Sequence, residues 1–311
     1  MKKATLSLSV ITGNCENYIE RFLDKFQHHF DEVIIVRAIG NQVPDGTLDI
    51  AQSRGCKVAS YFNKIGYWNH VDNFAAARNV SANLATGDWI MWADTDDIMT
   101  DDSGDQIRRL IADIHDKDVD GVLMRYVVPE DNIINWRERL WRKGSAIWEH
   151  PVHECLKFNE GTKHMRFDGA EIIHASEKRS ASRDERNLRI LESIPKSART
   201  VSQKFHTFQS LIALDRNDEA IDSALEFVQS EGVGRNELYE AYFQLARLAE
   251  DEDSKKQMLL AALATDPSRR EAYGELGLAA TISDAQAALG WTDAMMGLEM
   301  PPEPPWNLRR P

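Results

Sequence analysis

Residues 6–12, LSLSVIT, set Leu6, Leu8 and Val10 against Ser7, Ser9 and Thr12, and this period of two predicts a first strand. The apolar positions of ENYIERFLDKFQH (16–28) recur at helical spacing, so an amphipathic helix follows. EVIIV (32–36) is apolar on both faces and reads as a buried strand. VPDGTLDIAQSRG (43–55) is a turn leading into a helix that ends at Gly55, and CKVASY (56–61) a third strand. DNFAAARNVSANLATG (72–87) predicts a helix capped by Asp72 and closed by Gly87. WIMWA (89–93), DGVLMRYVV (120–128) and AEIIHAS (170–176) complete the strands, while the stretch 136–156, rich in Trp and charge, reads as irregular. Strands alternating with helices predict an α/β domain with a mostly parallel sheet.

The period changes near residue 183. Strand signals stop, and three Ala- and Leu-rich helical stretches follow: 208–228, 242–267 and 273–296. Aligning Ala213, Ala246 and Gly277 gives steps of 33 and 31 residues, near the roughly 34-residue period of tetratricopeptide helix pairs. A plain helical bundle fits the same pattern. The expected organisation is 1–180 as the α/β domain, 181–299 as tetratricopeptide-like helices, and 300–311, MPPEPPWNLRRP, as a Pro-rich extended tail.

Composition narrows the function classes. Lys and Arg total 37 against 50 Asp and Glu, a formal charge of −13, which opposes a sequence-blind grip on nucleic acid. No apolar run approaches the roughly 18–20 residues of a membrane helix. The alternation after Lys2 and Lys3 is unlike a signal peptide's apolar block. Three dispersed cysteines, Cys15, Cys56 and Cys155, make a disulfide framework or zinc site unexpected, and a reducing cytoplasm is the default location.

The chemistry concentrates in DWIMWADTDD (88–97), an apolar strand that ends on Asp94, Asp96 and Asp97. Like charges this close call for a cation, or else for a solvated turn capping a helix. In open α/β sheets ligands bind at the carboxyl ends of strands, and a hard divalent cation accepts one or two such carboxylates, completing its shell with water and phosphate.

The stretch FAAARNVSANLATGDWIMWADTDD (74–97) resembles the family 2 glycosyltransferases of the GT-A fold, in which a helix with Ala-Arg-Asn precedes an apolar strand and a DxD motif. LSLSVITGNCEN (6–17) is similar to that family's first strand and Asn-Glu loop, PDGTLDIAQSRG (44–55) to its Asp-Gly-Thr helix start, and RERLWRKGSAIWEHPVHECL (137–156) to a downstream Trp…Val-His-Glu block seen in members with tetratricopeptide repeats.

The resemblance implies a GT-A domain that moves a sugar from a nucleotide-sugar, normally a UDP-sugar, to an acceptor hydroxyl. It implies Mn²⁺ or Mg²⁺ on Asp96, with Asp94 touching the ribose or the metal sphere and His174 as an imidazole ligand. A lone histidine such as His174 also reads as structural. The donor site is expected to draw on Thr12, Asn14, Glu16, Asp72, Arg78, Thr95 and His153, with Trp148 stacking on a sugar or serving as core. Arg78 reads equally as a phosphate donor or a salt bridge to Asp72 or the carboxylate cluster. An inverting transfer needs a general base; Glu154 is the expected one and Glu149 its rival. The family usually has Asp after its second strand to read the nucleobase. Here Arg37 stands there, which leaves the base open and the residue free to stack on it, bind phosphate or point away.

Two other readings compete. The domain is an inactive relic and the repeats bind a protein partner, or the acceptor is anionic, such as a phospholipid-linked sugar, a phosphoglycan or a modified nucleic acid. The last rests on residues 178–199, with seven basic side chains against three acidic, a pattern that an ordinary solvated helix face also produces.

Overall fold

The computed structural model describes residues 4–129, 133–175, 181–283 and 285–298. The chain divides into two compact units, Met1–Arg179 and Ser180–Pro311.

In the first unit, β1 (Leu6–Thr12) is buried along its whole length, because both neighbours pair with it in parallel: β2 (Glu32–Arg37) on one side and β4 (Trp89–Asp94) on the other. Leu6, Leu8 and Val10 face one layer with α1 (Ile19–Phe26), α2 (Thr47–Ser53) and α4 (Asp101–Ile114). The opposite face carries α3 (Phe74–Leu84), packed through Ala75 and Ala77 on Ile34, Val36, Ile90 and Trp92. The serines of β1 are therefore buried as well. Ser9 Oγ lies 2.8 Å from Ser81 Oγ of α3, and Ser7 Oγ donates to Glu32 at 2.5 Å while accepting from the Gly87 N–H at 2.9 Å. An alternating strand here means two covered faces, one of them lined by small polar groups that bond each other.

Among the described residues the sheet has eight strands. With β3 (Lys57–Ser60), β5 (Asp97–Met99), β6 (Gly121–Val128), β7 (Ile133–Arg142) and β10 (His164–His174), the order is β3-β2-β1-β4-β7-β6-β10-β5. β8 (Ala146–Glu149) and β9 (Cys155–Phe158) form a separate hairpin. Four of the seven strand pairings in the eight-stranded sheet are parallel, β1 with β2 and with β4, β2 with β3, and β6 with β10, in line with the expectation of a mostly parallel sheet. β7 runs antiparallel to both β4 and β6, β5 runs antiparallel to β10, and the sheet is mixed.

The region expected to be irregular is β7 and the β8–β9 hairpin. Charge and a register shift hid its period: the pairing of β7 with β6 slips at Arg139, and that side chain is as fully buried as any aliphatic one in the core. The late strand begins six residues before its expected start, at His164. α4 and β5 were not anticipated. The cap of α3 is Asn73, whose Oδ1 accepts from the Ala76 N–H at 2.8 Å, and not Asp72; the helix closes at Ala85 rather than Gly87.

The regular elements among the described residues of the second unit are helices: α5 (Ala181–Glu192), α6 (Val201–Ala213), α7 (Asn217–Val228), α8 (Arg235–Leu248), α9 (Glu252–Thr265), α10 (Glu271–Ser283) and α11 (Ala285–Met296). Ala213, Ala246 and Gly277 fall on α6, α8 and α10, the first members of three successive helix pairs. Tyr239, Leu259, Leu263 and Leu276 knit α8, α9 and α10 together. The Tyr239 hydroxyl accepts from the Ala272 N–H at 3.0 Å and so holds the α9–α10 junction. The Pro-rich stretch 300–311 and the start of the basic stretch, 178–180, lie outside the described residues. Among the described residues no helix is long and apolar enough to cross a membrane.

Candidate active site at the end of β4

β4 ends on Asp94, the chain turns through Thr95 and Asp96, and β5 starts at Asp97. β5 lies antiparallel to the end of β10, which sets Asp97 opposite His174. Each of the three carboxylates has a different answer to its charge.

Asp97 is fully buried and bound to the equally buried Arg139, whose Nη1 donates to its Oδ2 at 2.8 Å. The Asp94 N–H donates to the same oxygen at 3.0 Å, and the Tyr126 hydroxyl to Oδ1 at 3.1 Å. The Arg139 guanidinium stacks on Trp92 at 3.6 Å and on Tyr126 at 4.2 Å. Burial acts to raise the Asp97 carboxyl, but the Arg139 charge together with these hydrogen bonds holds it below the ordinary Asp range. Burial and the neighbouring Asp97 charge push the Tyr126 phenol up, so it stays a neutral donor.

Asp94 Oδ1 accepts from Arg78 Nη2 at 2.8 Å. Arg78, buried on α3, also donates from Nε to Glu154 Oε1 at 2.7 Å. Its guanidinium sits over Trp92 at 4.6 Å and Trp148 at 4.9 Å. Of the readings open for Arg78, the ion pair with the carboxylate cluster is the one formed, and Asp72 takes no part in it.

Asp96 is the exception. Its side chain is 40% exposed, and its ion-pair partner among the described residues is the His174 ring, with Nδ1 3.8 Å away. Burial and then the Asp94 charge raise its carboxyl above the ordinary range. His174 Nδ1 also lies 3.5 Å from Asp97 Oδ1, and that carboxylate is the main reason the imidazole is raised. Asp96, Asp97 and His174 present ligand atoms within 4.8 Å of one another, a donor set suited to a divalent cation. Asp94 is outside this cluster, and both oxygens of Asp97 are already engaged, which leaves Asp96 and His174 as the accessible pair.

Glu154 closes the turn between β8 and β9. His150 and His153 in that turn have φ of 70° and 53°, a left-handed backbone that non-glycine residues rarely take. α3 holds the turn in place: the Phe74 N–H donates to Pro151 O at 2.7 Å, and Asn79 bonds both the N–H and the C=O of Trp148, at 3.0 and 2.9 Å. Trp148 is 5% exposed and meets Trp92 and Trp141 edge-on; it is core, not a stacking platform for a sugar. His153 is exposed on the turn. Glu149 lies on the hairpin, its carboxylate bound to Lys157 Nζ at 2.8 Å.

The other expected donor residues gather in loops around the ends of β1, β2 and β3. The Thr12 and Thr95 hydroxyls are 3.5 Å apart, which sets the end of β1 beside the carboxylate turn. Asn14 donates to Val43 O at 2.8 Å, and Glu16 Oε2 accepts from the Gly46 N–H at 2.8 Å, so both tie the first loop to the start of α2. Arg37 Nη2 reaches Ser60 Oγ at 3.4 Å. Asp72, placed as a helix cap and donor ligand, instead organises the loop after β3. Its Oδ2 accepts from the Lys64 and Ile65 N–H groups at 2.7 and 3.0 Å, and its Oδ1 from the Tyr61 hydroxyl at 2.7 Å. Arg139, Tyr126 and the structural role of Asp97 escaped the sequence reading; alternation along β7 gave no signal for Arg139, because the register with β6 shifts at that residue.

A mixed sheet with an acidic turn at the end of its fourth strand is GT-A-like in design. The profile described as Glycosyl transferase family 2 matches residues 7–177, and the chain belongs to that family. Among curated proteins it is 23% identical over 229 residues to the SPbeta prophage-derived glycosyltransferase SunS of Bacillus subtilis (strain 168), covering 70% of this chain and 52% of that one. Glycosyltransferase SunS of Bacillus phage SPbeta matches to the same extent. The chain thus spans about half the length of the curated relatives it matches. Among solved structures, S. aureus TarS aligns at 15% identity and a TM-score of 0.40, over 85% of this chain and 53% of that chain. Glucosyl-3-phosphoglycerate synthase from Mycobacterium tuberculosis aligns at 18% identity and a TM-score of 0.30, over 40% of this chain and 44% of that chain.

Proposed function

We propose that the chain is a metal-dependent, inverting glycosyltransferase that moves a sugar from a nucleotide-sugar, with UDP the expected nucleotide, to an acceptor hydroxyl. The observation that carries this reading is the Arg78 bridge. One guanidinium binds Asp94, at the end of β4, and Glu154, on the β8–β9 turn, and so joins the acidic turn to the residue expected to act as base.

Asp96 and His174 would hold Mn²⁺ or Mg²⁺, with Asp94 turned toward the ribose or the water around the ion. When bound, the cation supplies Lewis-acid stabilisation of the charge that grows on the departing diphosphate. Asp97 lies 3.5 Å from His174 Nδ1 and so holds the imidazole beside Asp96. Thr12, Asn14, Glu16, Arg37, Thr95 and His153 would line the donor. Arg78 acts by holding two carboxylates in place, since both of its described bonds go to them. Glu154 takes the proton of the acceptor hydroxyl as the oxygen attacks the anomeric carbon from the face opposite the diphosphate. Glu149, whose carboxylate binds Lys157, is the rival choice. The helix pairs α6–α7, α8–α9 and α10–α11 are read as tetratricopeptide-like and as a surface for a protein partner.

Calorimetric titration of UDP, GDP, CDP and dTDP, with Mn²⁺ and then with EDTA, tests the donor site. Metal-dependent binding of one nucleotide supports the reading and identifies the base that Arg37 leaves open; no binding to the folded, metal-loaded protein overturns it. Glu154→Gln is expected to keep donor affinity and lose transfer by about 10²-fold or more. Loss of transfer in Glu149→Gln, with Glu154→Gln active, moves the base to Glu149.

A further inference from the structure

The turn that follows α1 places two histidines side by side. His28 and His29 occupy a single 3-10 turn, Gln27–His29, with ring centroids 3.8 Å apart. His28 is half-exposed, whereas His29 is 5% exposed. Both rings address the first turn of α4. His28 Nε2 lies 3.5 Å from Asp101 Oδ1, and His29 Nε2 lies 3.8 Å from the same oxygen. His29 Nδ1 faces Asp105 Oδ1 at 3.6 Å.

Two features mark this as more than a packed histidine. His29 Nε2 is buried and has no hydrogen-bond partner among the described residues, a state that buried polar atoms rarely keep. The ring also rests where α4 carries Gly104; a Cβ there would come within 2.4 Å of His29 Cγ and Cδ2. A glycine inside a helix is otherwise disfavoured, and here it makes room for the imidazole.

We propose that His28, His29 and Asp101 form a second metal site, for a transition ion of the Zn²⁺ class, with Nε2 of each imidazole and one Asp101 oxygen as ligands. The three ligand atoms lie within 4.8 Å of one another. Around a tetrahedral ion with bonds of about 2.0–2.1 Å they would sit about 3.3 Å apart, so a small inward movement of the exposed His28 and Asp101 side chains completes the set. Asp105 supplies the carboxylate that commonly orients a ligating imidazole through its other nitrogen, and two imidazoles with a carboxylate suit Zn²⁺ over Mg²⁺. The ion would clasp the turn after α1 to α4. None of these residues belongs to the Asp96–His174 cluster.

The test is a Zn²⁺ titration of the full chain after EDTA stripping and desalting, read by calorimetry and by the melting temperature. The wild type is expected to bind one equivalent that His28→Ala and Asp101→Asn weaken by more than about 10²-fold and Asp105→Asn by about 10–100-fold, with Asp96→Ala leaving it unchanged. Zn²⁺ should raise the melting temperature of the wild type and of Asp96→Ala, but not of His28→Ala. His28 is exposed enough for its variant to fold, which circular dichroism checks. Wild-type stoichiometry and affinity in folded His28→Ala and Asp101→Asn would overturn the site, as would a wild type whose only Zn²⁺ uptake disappears in Asp96→Ala.

Discussion

Arg78 and Arg139 lie against the same indole, that of Trp92, and each binds a carboxylate of the segment 94–97. Their surroundings separate their jobs. Arg139 and Asp97 are wholly excluded from water, closed in by Trp92 and Tyr126. Arg78 is buried too, at 7% exposed, but its partners reach outward: Asp94 is 31% exposed and Glu154 14%. A dry pair is a fixed strut, because neither charge tolerates the loss of the other. A pair at the rim can hold its carboxylates and still leave them open to a ligand. Asp96, between the two, has no arginine among its described partners and is the carboxylate that an external cation would answer.

The comparison can be broken by removing each partner in turn. The largest stability loss is expected for Arg139→Met, which strands the buried Asp97 charge at a cost of about 3–5 kcal/mol. Urea unfolding measures it, and Asp97→Asn combined with Arg139→Met should recover a good part of the loss. A near-neutral Arg139→Met would show that the strut is dispensable. Next comes Asp96→Ala, expected to abolish metal-dependent nucleotide binding and to slow transfer by about 10²-fold or more, roughly 2.7 kcal/mol of barrier, with the urea midpoint little changed. Full activity in that variant would end the metal assignment.

Arg78→Lys sharpens the contrast at the rim. Lysine keeps the charge but cannot bond two carboxylates with a planar fork, so transfer should fall by about 10-fold or more while folding changes by about 1 kcal/mol. An equal loss of both would make Arg78 a second strut. The smallest effect is on acid stability. The folded Asp97 carboxyl lies below its unfolded value of about 3.9, so its contribution is complete above that pH and drains away as the pH falls through the folded value. Wild type and Asp97→Asn should therefore converge in stability below about pH 4; a constant gap down to the lowest pH that keeps the fold would place the effect elsewhere.

Much of this was legible in one dimension. Strands β1 to β4 and helices α1 to α3 carry their periods openly, because aliphatic residues mark the faces that get buried. β7 did not, since Arg137, Glu138 and Arg139 mask its alternation, and burial of Arg139 depends on Asp97, the first residue of β5, which lies three strands away in the sheet order. Asp72 looked like a cap because it stands one residue before Asn73, and one residue of offset is beyond what a local pattern can resolve. The carboxylate turn and Glu154 were readable as candidates for chemistry. Their connection through Arg78, across 16 and 76 residues of chain, was not.

The sequence by itself determined the class of each unit and the place of the acidic turn, because hydrophobic period and turn chemistry are local and act along the chain. Tertiary structure alone decided which carboxylate is neutralised, which is held at the rim and which has no arginine among its described partners. That choice depends on burial and on charges brought together from distant strands, and Coulomb energy and desolvation follow distance in space, not distance in sequence.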